Sequence, residues 1–428
     1  MHSVDLPLIS VAEAEARLLA LVTPPGPQQA EVVPLAAALG RVLATPLSAP
    51  QPIPPWDNAA MDGYALRAAE VGQASPDQPA RLTLGEVIAA GAVPQQPLAP
   101  GQAARLFTGS MLPLGADTVV MQEVTRVVGN QVEIFAPPPL GQFVRRRGSF
   151  YQPGSPLLPA GLSIGAPELA LLASAQWAQV PVLPRPRVAI LSTGNELVEV
   201  GSPLQPGQIV DANQPALVAL VQRAGAVPLP LGRVPDQAAA LESAIATAPP
   251  QTDLILSSGG VSVGDFDYVD SVLRQLGATL RITAVAVKPG KPLTVATLPR
   301  PDGAPPLLYL GLPGNPVSAL VCFWRFVEPA LRKQLGLSHG WSPQWVGATT
   351  DQPLTAGGDR ETYLWGNLSS GQEGYRFSLA PGSHNSANLV NLAGSNALAV
   401  VPVGTTHIPR ESQVRVMVVG RIAGDGGL

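Results

Sequence analysis

Between Arg187 and Ser318, short apolar runs alternate with stretches of helical spacing. RVAILSTG, VPLPLG, DLILSSGG, the run ending at Val287 and the run ending at Leu312 have no polar face. Strands buried on both sides read this way. Between them, three stretches place apolar residues at helical intervals: Asn213–Ala224 with Pro215 in its first turn, the alanine-rich Asp236–Thr247, and the set Tyr268, Val272, Leu273 and Leu276. A further helix is predicted from Val317. Strand alternating with helix predicts a doubly wound, mostly parallel sheet, whose ligands bind beyond the carboxyl ends of the strands.

The flanking segments have a different rhythm. Val11–Val22 spaces Ala12, Ala14, Leu18, Leu19 and Val22 near helical intervals, with Ser10 as its cap, and Leu35–Leu43 predicts a second helix with Gly40 near its end. Asp57–Leu66 reads as a loop. From Ala80 to Ala136, RLTLGEVIA, ARLFTG, DTVVMQEVTRVV and QVEIFA sit between turn residues and predict a small β-rich domain. Gly141–Gly161 is turn-rich, and Glu168–Ala175 is helical. After Gly336, WVGATTD, TYLWGNL, YRFSLA, ALAVVPVG and QVRVMVVGRI predict a separate β domain closed as a barrel. The fold class is therefore α/β and multidomain.

Composition narrows the function classes. The chain has 428 residues, more than one typical domain, with 46% hydrophobic and 13% charged residues and a net charge of −4. The only basic run is Arg145-Arg146-Arg147, so no nucleic-acid partner is expected. A lone cysteine, Cys322, excludes an intrachain disulfide and a cysteine-based zinc site. The N-terminal stretch lacks a basic region before its apolar residues, and no uninterrupted apolar run is long enough to span a bilayer. A soluble, cytoplasmic protein without a membrane partner is the expectation. The 48 prolines and 43 glycines punctuate apolar runs at intervals, which predicts many turns rather than disorder.

Candidate chemistry gathers at the predicted strand ends. Ser258-Gly259-Gly260 follows one strand, and its glycines let backbone N–H groups approach an anion. Asp265 and Asp267 come next. Asp267, after SSGGVSVG, suits a Mg²⁺ shared with phosphate oxygens. Lys288 and Lys291 flank a Pro-Gly turn ahead of Pro292, where two ammonium groups suit a tetrahedral dianion. Pro313-Gly314-Asn315-Pro316 turns the next strand into a helix, with Asn315 as its expected N-cap and Ser318 in the first turn. Glu196 lies beyond the strand RVAILSTG. Asp236 opens a helix and suits an N-terminal cap.

At these residues the chain resembles the MoeA family. The motifs are DNAAMDGYAL (57–66), FTGSMLPLGADTVVMQE (107–123), STGNEL (192–197), SSGGVSVGDFDY, KPGKP and LPGNPVSAL, in order along nearly the whole chain. The resemblance implies four domains: an elongated one from 1–52 and 143–178, an inserted β-rich lid over 53–142, an α/β molybdopterin-binding domain over 179–336, and a C-terminal β-barrel over 337–428. It implies a homodimeric enzyme that takes adenylylated molybdopterin and molybdate as substrates, cleaves the phosphoanhydride with Mg²⁺ and releases AMP and molybdenum cofactor. A contact with molybdopterin adenylyltransferase is expected with it.

The same resemblance implies roles. Asp62, Glu196 and Asp267 are the catalytic acids. Asp236 and Asp267 are placed at the metal. Thr108 and Gly109 belong to a site spanning the dimer. Gly259, Gly260, Lys288, Lys291, Pro292, Ser318, Ser383 and Arg360 bind substrate, with Ser383 and the lysines at the oxyanion. Four positions depart from the family pattern. Ser149-Phe150 replaces an acidic pair, Ala284 a frequent basic residue, and Trp365 a usual arginine. Two rival readings are an adenylyltransferase, which the lid and barrel oppose, and a dimeric scaffold, which the retained acidic and basic set opposes.

Overall fold

The computed structural model describes residues 8–260, 268–300 and 305–424. Asp265 and Asp267 lie outside the described residues.

The α/β unit is built on a six-stranded sheet. Its spatial order is Val227–Val234, Arg187–Thr193, Leu254–Ser258, Leu307–Leu312, Pro292–Leu298 and Thr279–Ala284. The first four are parallel to their neighbours, and the last two are added antiparallel. Successive residues divide between two cores, as period-2 geometry requires. Val188, Ile190, Leu254, Leu256, Leu308 and Leu310 face one side, where Leu217, Leu220 and Val221 of helix Asn213–Arg223 cover them. Ala189, Leu191, Ile255 and Tyr309 face the other, under helices Ala238–Ala246 and Val269–Gln275. Both faces of the inner strands Arg187–Thr193, Leu254–Ser258 and Leu307–Leu312 are dry, which is why those sequence runs are apolar throughout.

Helix Val11–Leu21 has its N-terminus capped by Ser10 Oγ, which accepts from Glu13 N at 3.2 Å. Its Val11, Ala14 and Leu18 join the larger core of the α/β unit. The predicted helix Leu35–Leu43 is only a 3₁₀ turn at Leu35–Ala37. Tertiary pairing overrides its helical pattern: Leu43 N donates to Leu162 O at 3.0 Å, and Gly40 takes a left-handed φ of 70°. Short antiparallel pairs join this segment to a later one, Glu31–Pro34 with Gln179–Val182 and Leu47–Ser48 with Pro156–Leu158.

The β-rich insert is a curled six-stranded sheet in the order Thr118–Met121, Gly63–Leu66, Gln102–Leu106, Ala80–Ile88, Gln131–Ile134 and Thr125–Val128. Part of the predicted loop Asp57–Leu66 is therefore a central strand, since Gly63–Leu66 pairs on both edges.

The five runs predicted after Gly336 all form strands. Glu361–Gly371, Gly374–Leu379, Gln344–Thr350, Gln413–Val418 and Ala397–Val401 pair in that order, and the last pairs back to the first. The barrel is thus closed. A strand pairing crosses from the α/β unit: Val287–Lys288, expected to end a sheet strand, instead pairs in parallel with Glu361–Thr362 of the barrel.

Candidate active site

A cleft of about 1090 Å³ lies where the carboxyl ends of the parallel strands meet the barrel. Each wall follows from local sequence. Leu254–Ser258 ends in Gly259 and Gly260, with φ of 94° and 67°. A Cβ on Gly259 would stand 2.4 Å from Thr193 O, so only glycine fits against that neighbouring strand end. Ser258 Oγ accepts from Asn213 Nδ2 at 2.6 Å, and the same amide donates to Gly314 O at 2.8 Å. One asparagine therefore pins two of the strand-end turns together.

The acidic wall holds Glu196 and Asp236. Asp236 is not the helix cap that its position suggests. The helix begins at Ala238 after Gln237, with no side-chain cap. Instead Asp236 Oδ1 accepts from Tyr268 Oη at 2.5 Å, and Oδ2 accepts from Asn195 N at 3.1 Å. Burial first, and then the Asp236 carboxylate, push the Tyr268 phenol well above its ordinary value, so it stays a protonated donor. The Glu196 carboxylate folds back over Gly194, where a Cβ would come within 2.8 Å of Oε2.

The basic wall is the turn Lys288-Pro289-Gly290-Lys291, together with Arg360. Both lysines are exposed, and neither side-chain ammonium makes an ion pair or hydrogen bond among the described residues. Gly290 has a φ of 117°, and a Cβ there would meet Cys322 Sγ at 2.5 Å. The thiol packs directly beneath the turn, and burial pushes its pKa up to about 12, so it is a filler and not a nucleophile. Arg360 leans on Asp359 through Nε at 3.0 Å.

The third wall is the 384–387 loop against the helix N-terminus. Asn315 occupies the N-cap position, but its amide caps nothing; it donates to Ser386 Oγ at 3.1 Å. Val317 N donates to Ser386 O at 3.0 Å. Ser318 and Pro292 also line the cleft. Ser383 is exposed and outside the lining, while its neighbours His384 and Ser386 are within it. Trp365 is 1% exposed, deep in the core, and its ring packs against that of His384 at a tilt of 41° with centroids 4.3 Å apart. Burial lowers the His384 pKa, so it adds no cation at neutral pH.

Asp62, Thr108 and Gly109 are together, but elsewhere. Thr108 N and Thr108 Oγ1 each donate to Asp62 Oδ1 at 2.7 Å on the insert, and none of the three lines this cleft. The sequence did not single out Thr193, Asn213, Tyr268, His384 or Ser386 as site residues. Asn213 could have been found: in DANQ it follows an apolar pair and opens a helix at a strand end. Tyr268 was masked by its place in an apolar helical pattern.

Three family models match in order along the chain: the MoeA N-terminal region (domain I and II) over 9–175, the probable molybdopterin binding domain over 189–333, and the MoeA C-terminal region (domain IV) over 348–419. The chain is 52% identical over 390 residues to a molybdopterin molybdenumtransferase of Nostoc sp., covering 91% of this chain and 89% of that one. The chain belongs to the MoeA family. A second family relative, the molybdopterin molybdenumtransferase of Bacillus subtilis, is 34% identical over 397 residues, 91% of this chain and 90% of that one. The crystal structure of a MoeA molybdopterin biosynthesis protein from Pyrococcus horikoshii superposes with a TM-score of 0.81 at 27% identity, covering 96% of this chain and all of the other. As a MoeA family member the chain is an enzyme of molybdenum cofactor biosynthesis. No helix among the described residues is long and apolar enough to cross a membrane.

Proposed function

We propose that this cleft inserts molybdate into adenylylated molybdopterin, with cleavage of the phosphoanhydride and release of AMP. The observation that carries the reading is charge placement. Two carboxylates, Glu196 and Asp236, and three cations, Lys288, Lys291 and Arg360, line one cleft at the ends of parallel strands. The unpaired lysines hold a dianion, and the glycine turn at Gly259-Gly260 offers close backbone approach to phosphate. Positioning and electrostatics suffice, and the cleft presents no thiol nucleophile.

Mg²⁺ fits the donor set. It takes one or two carboxylates and completes its shell with phosphate oxygens and water. Asp236, already oriented by Tyr268 and Asn195, and Glu196 would hold it with Asp267. Bound there, it supplies charge neutralisation on the phosphates. Asp236 stays in place through its two hydrogen bonds, and the lysines keep molybdate beside the dithiolene sulfurs.

A homodimer belongs to this reading. The separation of Asp62, Thr108 and Gly109 from their own chain's cleft supports their acting at the partner's. A cytoplasmic location and a contact with molybdopterin adenylyltransferase, which would hand over a reactive adenylylated pterin, complete it. The test is incubation of the protein with adenylylated molybdopterin, Mg²⁺ and molybdate, with AMP measured. Release of AMP dependent on both ions is expected, and none from the intact protein would refute the reading. Mixing Asp62→Ala with Asp267→Ala chains should restore part of the activity.

A further inference from the structure

Three parts of the chain meet on one buried guanidinium. The helical run from Pro316 to Gln334 widens into a π-helical turn at Phe323–Val327, and Arg325 sits in it, 5% exposed. The sequence explains the widening. Pro329 has no N–H to give to the carbonyl of Arg325, four residues back, and its ring crowds that oxygen in a regular α-helix. Arg325 Nη2 donates to Glu15 Oε2 at 2.8 Å on the N-terminal helix. Arg325 Nε donates to Tyr363 Oη at 3.0 Å on the barrel, and Tyr363 Oη donates onward to Glu361 Oε1.

This network is a poor device for stability. Arg325 Nη1 and Glu15 Oε1 are both buried with no partner among the described residues. Desolvating incompletely paired charges is unfavourable, and an apolar replacement of such pairs is often no less stable. What the network fixes is geometry. Tyr363 and Arg360 both line the cleft. Between them, Glu361 N donates to Ala286 O at 3.0 Å, and Glu361–Thr362 pairs with Val287–Lys288. The far end of the network therefore lies on the strand that aligns the lysine turn.

We propose that Arg325 is a positioning residue that sets how the barrel edge Arg360–Tyr363 sits against the turn Lys288–Lys291, and so fixes the spacing of the three cations that receive molybdate. This rests on the reading that the basic wall takes the oxyanion. Arg325 touches no substrate. It acts by holding Tyr363, and through it the strand Glu361–Gly371 that Arg360 immediately precedes.

The test measures half-saturating molybdate and half-saturating adenylylated molybdopterin separately, with melting temperature alongside, and molybdate binding by calorimetry. Arg325→Met should raise half-saturating molybdate about five- to twentyfold, while the pterin value moves less than about twofold. Arg325→Lys keeps the charge but loses the planar fork, so it should recover part of the loss. Glu15→Gln, on a helix outside the cleft, should raise the molybdate value about two- to threefold, and it decides the matter if Arg325→Met does not fold. Combined with Lys291→Ala, Arg325→Met should do less than the product of the two single effects, because both act on one cation arrangement. A lowered melting temperature with unchanged molybdate values, or an equal rise for both substrates, would make Arg325 a structural tie and overturn the proposal. Wild-type protein that binds molybdate but releases no AMP would refute the reaction alone, and the calorimetric shift in the variants would still decide the role of Arg325. Wild-type protein that binds no molybdate overturns both.

Discussion

Thr108 gives both of its donors to a single oxygen of Asp62: its backbone N–H and its hydroxyl each lie 2.7 Å from Oδ1. The hydroxyl bond first, then the backbone bond, hold the Asp62 carboxyl below its ordinary value of 3.8. The unfolded chain therefore takes up this proton first as pH falls. The stabilisation is complete above the unfolded value and fades as pH drops through the lowered folded value. Thr108→Val should move the Asp62 titration up towards 3.8, followed by carboxyl NMR. An unchanged titration would mean that the hydroxyl contributes nothing.

Gly259→Ala should abolish turnover and destabilise the α/β unit. The new methyl would sit 2.4 Å from Thr193 O on a backbone with φ of 94°. Left-handed strain and overpacking together cost about 2–5 kcal/mol. Chemical denaturation measures the loss, and a variant of wild-type stability would show that the turn can relax.

Tyr268→Phe removes one of the two hydrogen bonds that orient Asp236. Groups that orient a metal ligand typically matter about tenfold or more in affinity, so half-saturating Mg²⁺ should rise by about tenfold. Chelation of the ion should stop AMP release in both proteins. An Mg²⁺ titration identical to wild type would remove Asp236 from the metal.

Lys291→Ala should raise half-saturating molybdate by about three- to thirtyfold, or roughly 0.7–2 kcal/mol. That lies below the full worth of a charge-assisted hydrogen bond, because the ammonium is exposed and water screens it. Lys288 and Arg360 remain to supply attraction. Titration of molybdate at saturating pterin checks the value, and equal half-saturation would return Lys291 to the surface.

Much of this architecture was legible because burial leaves a pattern. The two-sided dryness of Arg187–Thr193 and Leu254–Ser258 is visible as unbroken apolar runs, and the five barrel strands keep clear turn punctuation. The glycine turn at Gly259 and the Pro-Gly turn between the lysines were equally plain. What was hidden depends on partners distant in sequence. Gly63–Leu66 is short and small-residued, and becomes a strand only between Gln102–Leu106 and Thr118–Met121. Asn315 and Asp236 look like helix caps locally, yet each spends its side chain on another segment, Ser386 in one case and Tyr268 in the other. Trp365 stands where the family usually has an arginine, but its side chain lies in the core, and its ring partner His384 reaches the wall.

The lysine turn is anchored to two bodies at once. Lys288 belongs by its backbone to the edge of the barrel, whereas Pro292, one residue beyond Lys291, begins a strand of the α/β sheet. A swing of the barrel relative to the sheet therefore cannot carry both ammonium groups along as a unit. It changes the gap between them. The two lysines are the jaws of a calliper whose handle is the domain junction, and their separation is set by how the barrel meets the sheet.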